Sequence, residues 1–201
     1  MSIQKVSIEA NKRTDLGSAS AKRIRQAGDV PAVIYGGNDV VHCSVPAKQL
    51  KNLVYTPDLK LAEVSVDGTN QRCILKDIQF HPVTDEIVHI DFLRIMDKTP
   101  IKVNVPLKFK GVSPGVKAGG KLVQSMRTVI VKTTPEKLTD ELFLDISKLD
   151  LGQSIRVRDI EVPEGVEIMV NSAIPVAVIE IPRALKSAAA AEAKAAGGKK
   201  K

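Results

Sequence analysis

Apolar residues recur along this chain at two spacings, and the strand-like one dominates. Residues 3–10 interleave Ile3, Val6 and Ile8 with polar neighbours, the pattern of a strand with one buried face. The run VPAVIYGG, residues 30–37, is almost wholly apolar and stops at a Gly-Gly pair, which predicts a buried strand and a turn. A further strand is predicted over 40–45. Segments 61–66 and 72–78 flank Asp67-Gly68, the strongest short-range hairpin signal, and 87–95 closes the series. Helical spacing shows in two places. Ala47, Leu50, Leu53 and Val54 follow Pro46 and share one helical face. A shorter helix through Ala21, Ile24 and Ala27 is expected to be capped by Ser18 or Ser20 and ended by Gly28. It turns Ile24 and Ala27 inward and sets Lys22, Arg23 and Arg25 over about one turn of exposed surface.

Beyond Asp97-Lys98-Thr99-Pro100 the texture changes. Strands rich in Val, Ile and Leu are predicted over 101–110, 121–132, 141–146, 154–157, 166–170 and 174–181. Between them lie turn signals such as Ser113-Pro114-Gly115 and Pro163-Glu164-Gly165. The expected fold is mainly β. A β-rich domain with one or two short helices occupies 1–95, and an all-β domain occupies 96–183. Residues 184–201 are alanine- and lysine-rich with no apolar face to dock, so a disordered basic tail is expected there.

Charge refines this picture. The formal net charge is +7, yet residues 1–95 carry 12 basic and 11 acidic side chains and residues 96–183 carry 13 and 11. The excess sits mostly in the tail. A second cluster (Lys12, Arg13, Lys22, Arg23, Arg25) lies near the start, offset there only by Asp15. Clustered cations are the footprint of a polyanion. Cys43 and Cys73 have no partners at zinc spacing and fit buried, reduced thiols in a cytoplasm. The first residues lack the apolar core of a signal peptide, and no apolar stretch reaches the roughly 20 residues of a membrane span.

Catalytic chemistry is sparse. His89 and Asp91 stand at i and i+2 of a predicted strand and so share a face. That pair reads as an acid–base couple, as a structural hydrogen bond, or as polar side chains aimed at base edges and riboses beside a basic helix that holds phosphates. A concave apolar setting would favour the first reading and an open surface the last. No nucleophile motif, metal-ligand cluster or phosphate loop accompanies the pair, and no cofactor or small-molecule substrate is expected.

Two stretches carry a resemblance: NKRTDLGSASAKRIRQAGDVPAVIYGG, residues 11–37, and DIQFHPVTDEIVHIDFLRI, residues 77–95. Both closely resemble the bacterial large-subunit ribosomal protein numbered twenty-five, the family that binds 5S ribosomal RNA. GVSPGVKAGGKL and LDISKLDLGQSIRVRDIEVPEGVEI resemble its longer branch, called Ctc or general stress protein, which adds an all-β domain. The resemblance spans about residues 3–181. It implies that the N-terminal domain is a β-barrel that binds the loop E region of 5S ribosomal RNA. Contacts would come from Arg13, from the segment Ser20, Lys22, Arg23 and Arg25, from Tyr35 at the Gly36 turn, and from His89 and Asp91. The other implied partners are large-subunit ribosomal RNA and neighbouring large-subunit proteins near the central protuberance, with a stress-induced ribosome-associated factor as the alternative. The chain departs from more basic short members at Leu16, Gly17 and Ser18, which implies one phosphate contact fewer.

Overall fold

The computed structural model describes residues 4–37, 39–96 and 99–183. The expected basic tail, residues 184–201, lies outside them. Six strands close a barrel: β1 (Lys5–Lys12), β2 (Asp29–Tyr35), β3 (Val41–Pro46), β4 (Leu61–Val66), β5 (Thr69–Phe80) and β6 (Ile87–Arg94). Their order around the barrel is β1-β3-β2-β6-β5-β4. The pairs β2·β6 and β1·β4 are parallel and the other four antiparallel. Closure leaves no free edge.

So small a barrel has little room inside, and its lining is correspondingly small. Ala10, Ala32, Ala62, Cys43 and Cys73 alternate with Ile8, Ile34, Val45, Val64, Ile90 and Phe92, all buried. Both cysteines are free and are there for their volume. Helix α2 (Ala47–Val54) is formed as its periodicity predicts and buries Leu50 and Leu53 against the barrel core. The Asp67-Gly68 turn has φ of 49° and 82°, the left-handed pair that a two-residue hairpin demands.

Helix α1 (Ser18–Gln26) departs from expectation at its start. The cap position is Gly17, at φ 116°, and no side chain caps it. Ser20 instead donates its hydroxyl to the Asp15 carbonyl at 3.0 Å, so it closes the loop and leaves the helix end uncapped. Ile24 is half-buried but Ala27 is exposed, and no residue of α1 is fully buried. The helix lies on the barrel and contributes nothing to its interior.

The second set of strands forms two packed sheets. One has the order β10-β7-β9-β12, built from β7 (Ile101–Lys110), β9 (Thr128–Thr133), β10 (Leu142–Asp145) and β12 (Val166–Ile168). The other is β11-β13-β8, from β8 (Lys121–Gln124), β11 (Ser154–Arg156) and β13 (Pro175–Glu180). Val105, Val131, Leu144, Val176 and Ile179 meet in the shared core. The strand expected over 121–132 is two strands in different sheets. Ser125 and Met126 both donate their N–H groups to the Val176 carbonyl, and the chain changes sheet there. A one-turn helix, α3 (Pro114–Lys117), sits where only a turn was expected; the Ser113 hydroxyl caps it and also donates to the Leu149 carbonyl at 2.6 Å.

The two bodies touch through apolar surface. Ile74 of β5 is buried in the core of the two-sheet body, with Leu59, Leu61, Leu93 and Ile95 packed beside it. Lys76 donates to the Lys102 carbonyl at 3.0 Å, and Lys108, paired with Glu141 of its own body, also meets Asp58 across the same joint.

Candidate nucleic-acid interface

One side of the barrel gathers most of the residues singled out from sequence. Strands β2 and β6 lie side by side in parallel, with Val33 opposite Asp91 and Tyr35 opposite Leu93. Ala32, Ile34, Ile90 and Phe92 point inward with no exposure, so Tyr35, His89 and Asp91 project from the outer face. His89 Nδ1 and Asp91 Oδ1 are 2.8 Å apart. The two side chains therefore stand together on the outer face as a pair. Across the sheet, β5 places Asp77 opposite Asp91 and Gln79 opposite His89. The outer face is therefore a polar ladder with donors and acceptors of both kinds. Burial, then Asp91 and Asp77, raises the Tyr35 phenol above its ordinary pKa. Tyr35 thus stays a neutral donor and acceptor at physiological pH.

The cations flank this ladder. Helix α1 carries Lys22, Arg23 and Arg25 on exposed positions, with Arg23 and Arg25 in the last turn where the helix dipole favours positive charge. Arg25 Nη1 donates to the Val88 carbonyl of β6 at 3.2 Å, which ties the helix end to the strand that bears His89. Arg13 follows β1; its N–H donates to the His42 carbonyl at 2.9 Å and its Nη2 to the Asp15 carbonyl at 3.3 Å. Part of the Arg13 guanidinium is thus engaged in shaping the loop before α1. Ser20 is similarly engaged with Asp15, and Gly36 has a backbone role. At φ 96°, an added Cβ there would lie 2.7 Å from Leu93 Cδ1, so only glycine lets the β2 turn close onto β6.

Several residues of this region escaped the sequence reading. Asp77 and Gln79 complete the ladder, but their facing depends on a register shift between Leu75 and Asp77 that alternation does not reveal. Arg94 lies against Gly37 and donates to Gln71 Oε1 through Nε and Nη2, at 3.2 and 2.9 Å. No local signal marks that pairing, since its members are 23 residues apart.

The acid–base reading of His89 and Asp91 gains no support from the neighbouring cleft. A cleft of about 600 Å³ lies beside them, lined by Ile87 and Val88 of the same strand, with neither His89 nor Asp91 on its wall. Among the described residues no group of three or more His, Cys, Asp and Glu is placed to hold a metal ion, and no helix is long and apolar enough to cross a membrane.

Comparison with known proteins accounts for both bodies. Residues 8–92 match the model of the ribosomal L25p family, and residues 100–183 match that of the ribosomal protein TL5 C-terminal domain. The chain belongs to the ribosomal L25p family. Its relatives run the full length. The large ribosomal subunit protein bL25 of Cytophaga hutchinsonii is 38% identical over 96% of this chain and 100% of its own. Those of Amoebophilus asiaticus and Bacteroides fragilis are 42% and 40% identical, over 97% and 91% of this chain and 98% and 93% of theirs. An L25p member of this form thus joins the closed barrel to the two-sheet body, as the resemblance implies.

Proposed function

We propose that this chain is a constituent of the large ribosomal subunit that grips 5S ribosomal RNA with the outer face of its barrel. The relatives' names supply the ribosome. The carrying observation is the arrangement of the face itself: a cationic helix fastened by Arg25 to the strand that displays the His89–Asp91 pair. Lys22, Arg23 and Arg25 hold phosphates or guanine edges, and Arg13 adds what its loop bonds leave free. Tyr35, His89 and Asp91 read base edges and riboses, with Ser20 and Gly36 shaping the approach. Cations position the RNA and the polar ladder specifies it. An irregular RNA helix suits this division, because regular A-form RNA closes its deep groove to side chains.

Residues 1–95 serve as the RNA-binding domain and 96–183 as an auxiliary domain that meets large-subunit RNA or neighbouring ribosomal proteins. The chemistry is binding without catalysis, and the setting is the ribosome in the cytoplasm. The test is equilibrium binding of the full chain to 5S ribosomal RNA, with transfer RNA as competitor, at two salt concentrations. Selective binding that weakens with salt is expected. Equal affinity for transfer RNA would overturn the assignment of the target.

A further inference from the structure

The 600 Å³ cleft beside the ladder has a composition that the barrel's outer face does not explain. Its floor is apolar, from Ala47 and Ile87, and its rim is cationic, from Lys22 and Arg25 of α1 and Lys51 of α2. Tyr55, at the end of α2, stands 61% exposed over this floor in a chain with only two tyrosines and no tryptophan. Lys51 and Tyr55 are one helical turn apart, and the Tyr55 N–H donates to the Lys51 carbonyl at 3.1 Å, so the two side chains stand together. The far wall is the turn from His81 to Glu86, closed by the His81 N–H donating to the Glu86 carbonyl at 2.8 Å. There the His81 Nδ1 accepts from the Thr84 N–H at 3.2 Å, which leaves Nε2–H as an outward donor. Glu86 takes the Thr84 hydroxyl on Oε2 at 3.3 Å and keeps its other oxygen as an acceptor.

We infer that this cleft receives one unpaired, amino-bearing nucleotide of the bound RNA, stacked on Tyr55. The inference rests on the RNA-binding reading above and extends it to a second contact on the other side of α1. Three features favour a nucleotide over a protein side chain. The rim has three permanent cations against one carboxylate, which suits a phosphate. An exposed aromatic ring over an apolar floor suits a base plane, since unstacked RNA bases are bound on aromatic side chains. A carboxylate beside a histidine donor suits the edge of a base that carries an exocyclic amino group. The volume lies within the roughly 300–1,000 Å³ of small-ligand pockets, room for a nucleotide but not for a duplex. Lys22 and Arg25 border the cleft, and Arg25 is bonded to the strand that bears the ladder, so one RNA can occupy both.

The experiment compares the full chain with Tyr55→Ala, Tyr55→Phe and Lys51→Ala in equilibrium binding to 5S ribosomal RNA across a salt series. Tyr55 is exposed, so these variants keep the fold, which circular dichroism checks. Tyr55→Ala should weaken binding about fivefold or more. Tyr55→Phe, which keeps the ring, should recover most of that loss. Lys51→Ala should lower the slope of log affinity against log salt by about 0.7, one single-strand phosphate contact. A photo-cross-linker at position 55 should label one nucleotide in the complex. Unchanged affinity in Tyr55→Ala, or a cross-link on ribosomes that goes to a protein, overturns the cleft assignment while the RNA-binding reading stands. Absence of binding by the unaltered chain overturns that reading and this inference together.

Discussion

The barrel portion and the two-sheet portion carry nearly the same net charge, with 12 basic and 11 acidic side chains up to residue 95 and 13 and 11 from 96 to 183. They arrange it differently. In the two-sheet body cations stand against acids. Lys132 meets Glu167 at 3.7 Å, Arg158 meets Asp159 at 3.5 Å, Lys121 lies in register with Glu180 and Lys110 with Asp145. The hydroxyl and N–H of Ser147 further hold the Asp145 carboxyl below its usual pKa. On the barrel, Lys22, Arg23 and Arg25 crowd one short helix that has no acidic residue in its first turn and no fully buried residue at all. Such a helix gains little from packing and presents its charge outward. The comparison teaches that equal net charge can hide two different arrangements of cations. What matters is whether cations are already answered within the fold.

The sharpest way to break the comparison is through the barrel core. Phe92 is fully buried on the inner side of β6, directly behind the outer face. Phe92→Ala should cost about 3–5 kcal/mol and abolish RNA binding, as urea melts and RNA titration would show. Leu144→Ala, equally buried in the other body, should cost about 2–5 kcal/mol and leave RNA binding intact in the folded fraction. RNA binding that fails with Leu144→Ala and survives Phe92→Ala would reverse the roles of the two bodies.

The joint comes next. Ile74 belongs to the barrel by sequence and to the other core by contact. Ile74→Ala should cost about 2–4 kcal/mol and separate one thermal transition into two, read by calorimetry. A single transition with unchanged midpoint would mean that the two bodies are already independent.

Direct contacts have smaller effects. Arg23→Ala and His89→Ala should leave the fold intact and weaken 5S ribosomal RNA binding by about 1–3 kcal/mol each, by analogy with base readout in DNA. His89→Ala should also lose discrimination against transfer RNA. Lys132→Ala, on the two-sheet body, should leave the titration curve unmoved.

The effect of pH, absent at neutrality, separates the bodies as well. Burial pushes the Cys43 thiol up to about 11 and the Cys73 thiol up to about 12, and both lie in the barrel. Below the ordinary thiol pKa both states are protonated and stability is unaffected. Above it the unfolded chain ionises while the folded barrel does not, so each thiol removes about 1.4 kcal/mol per pH unit until its folded pKa is reached. Barrel stability should therefore decline from about pH 9 upward. Both thiols should resist alkylation until the barrel unfolds. The two-sheet body has no cysteine and should show no such decline from this source.

Legibility in the sequence followed the range of the forces involved. The Asp67-Gly68 hairpin and α2 were readable because turn chemistry and four apolar positions on one face act within a few residues. The break at Ser125–Arg127 was not, because no glycine or proline marks it and the Val176 carbonyl that fixes it lies some fifty residues away. Of the candidate interface, the α1 cations and the His89–Asp91 pair follow from local periodicity. Asp77 and Gln79 depend on a register shift in β5, and the cleft draws residues from 22 to 88 that only barrel closure brings together. Ser20 and Gly36 show the converse. Both were noted as RNA contacts, and the structure shows what each does within the chain: one closes a loop onto Asp15, the other lets a turn pack on Leu93.

Hydrogen exchange of the full chain, free and saturated with 5S ribosomal RNA, tests the central claim most directly. Helix α1 has no buried residue, so its amides should exchange early in the free protein and slow markedly on binding, together with the ends of β2 and β6. Residues 101–180 should exchange alike in both states. Protection that appears on strands β7–β13 and spares α1 would contradict the account.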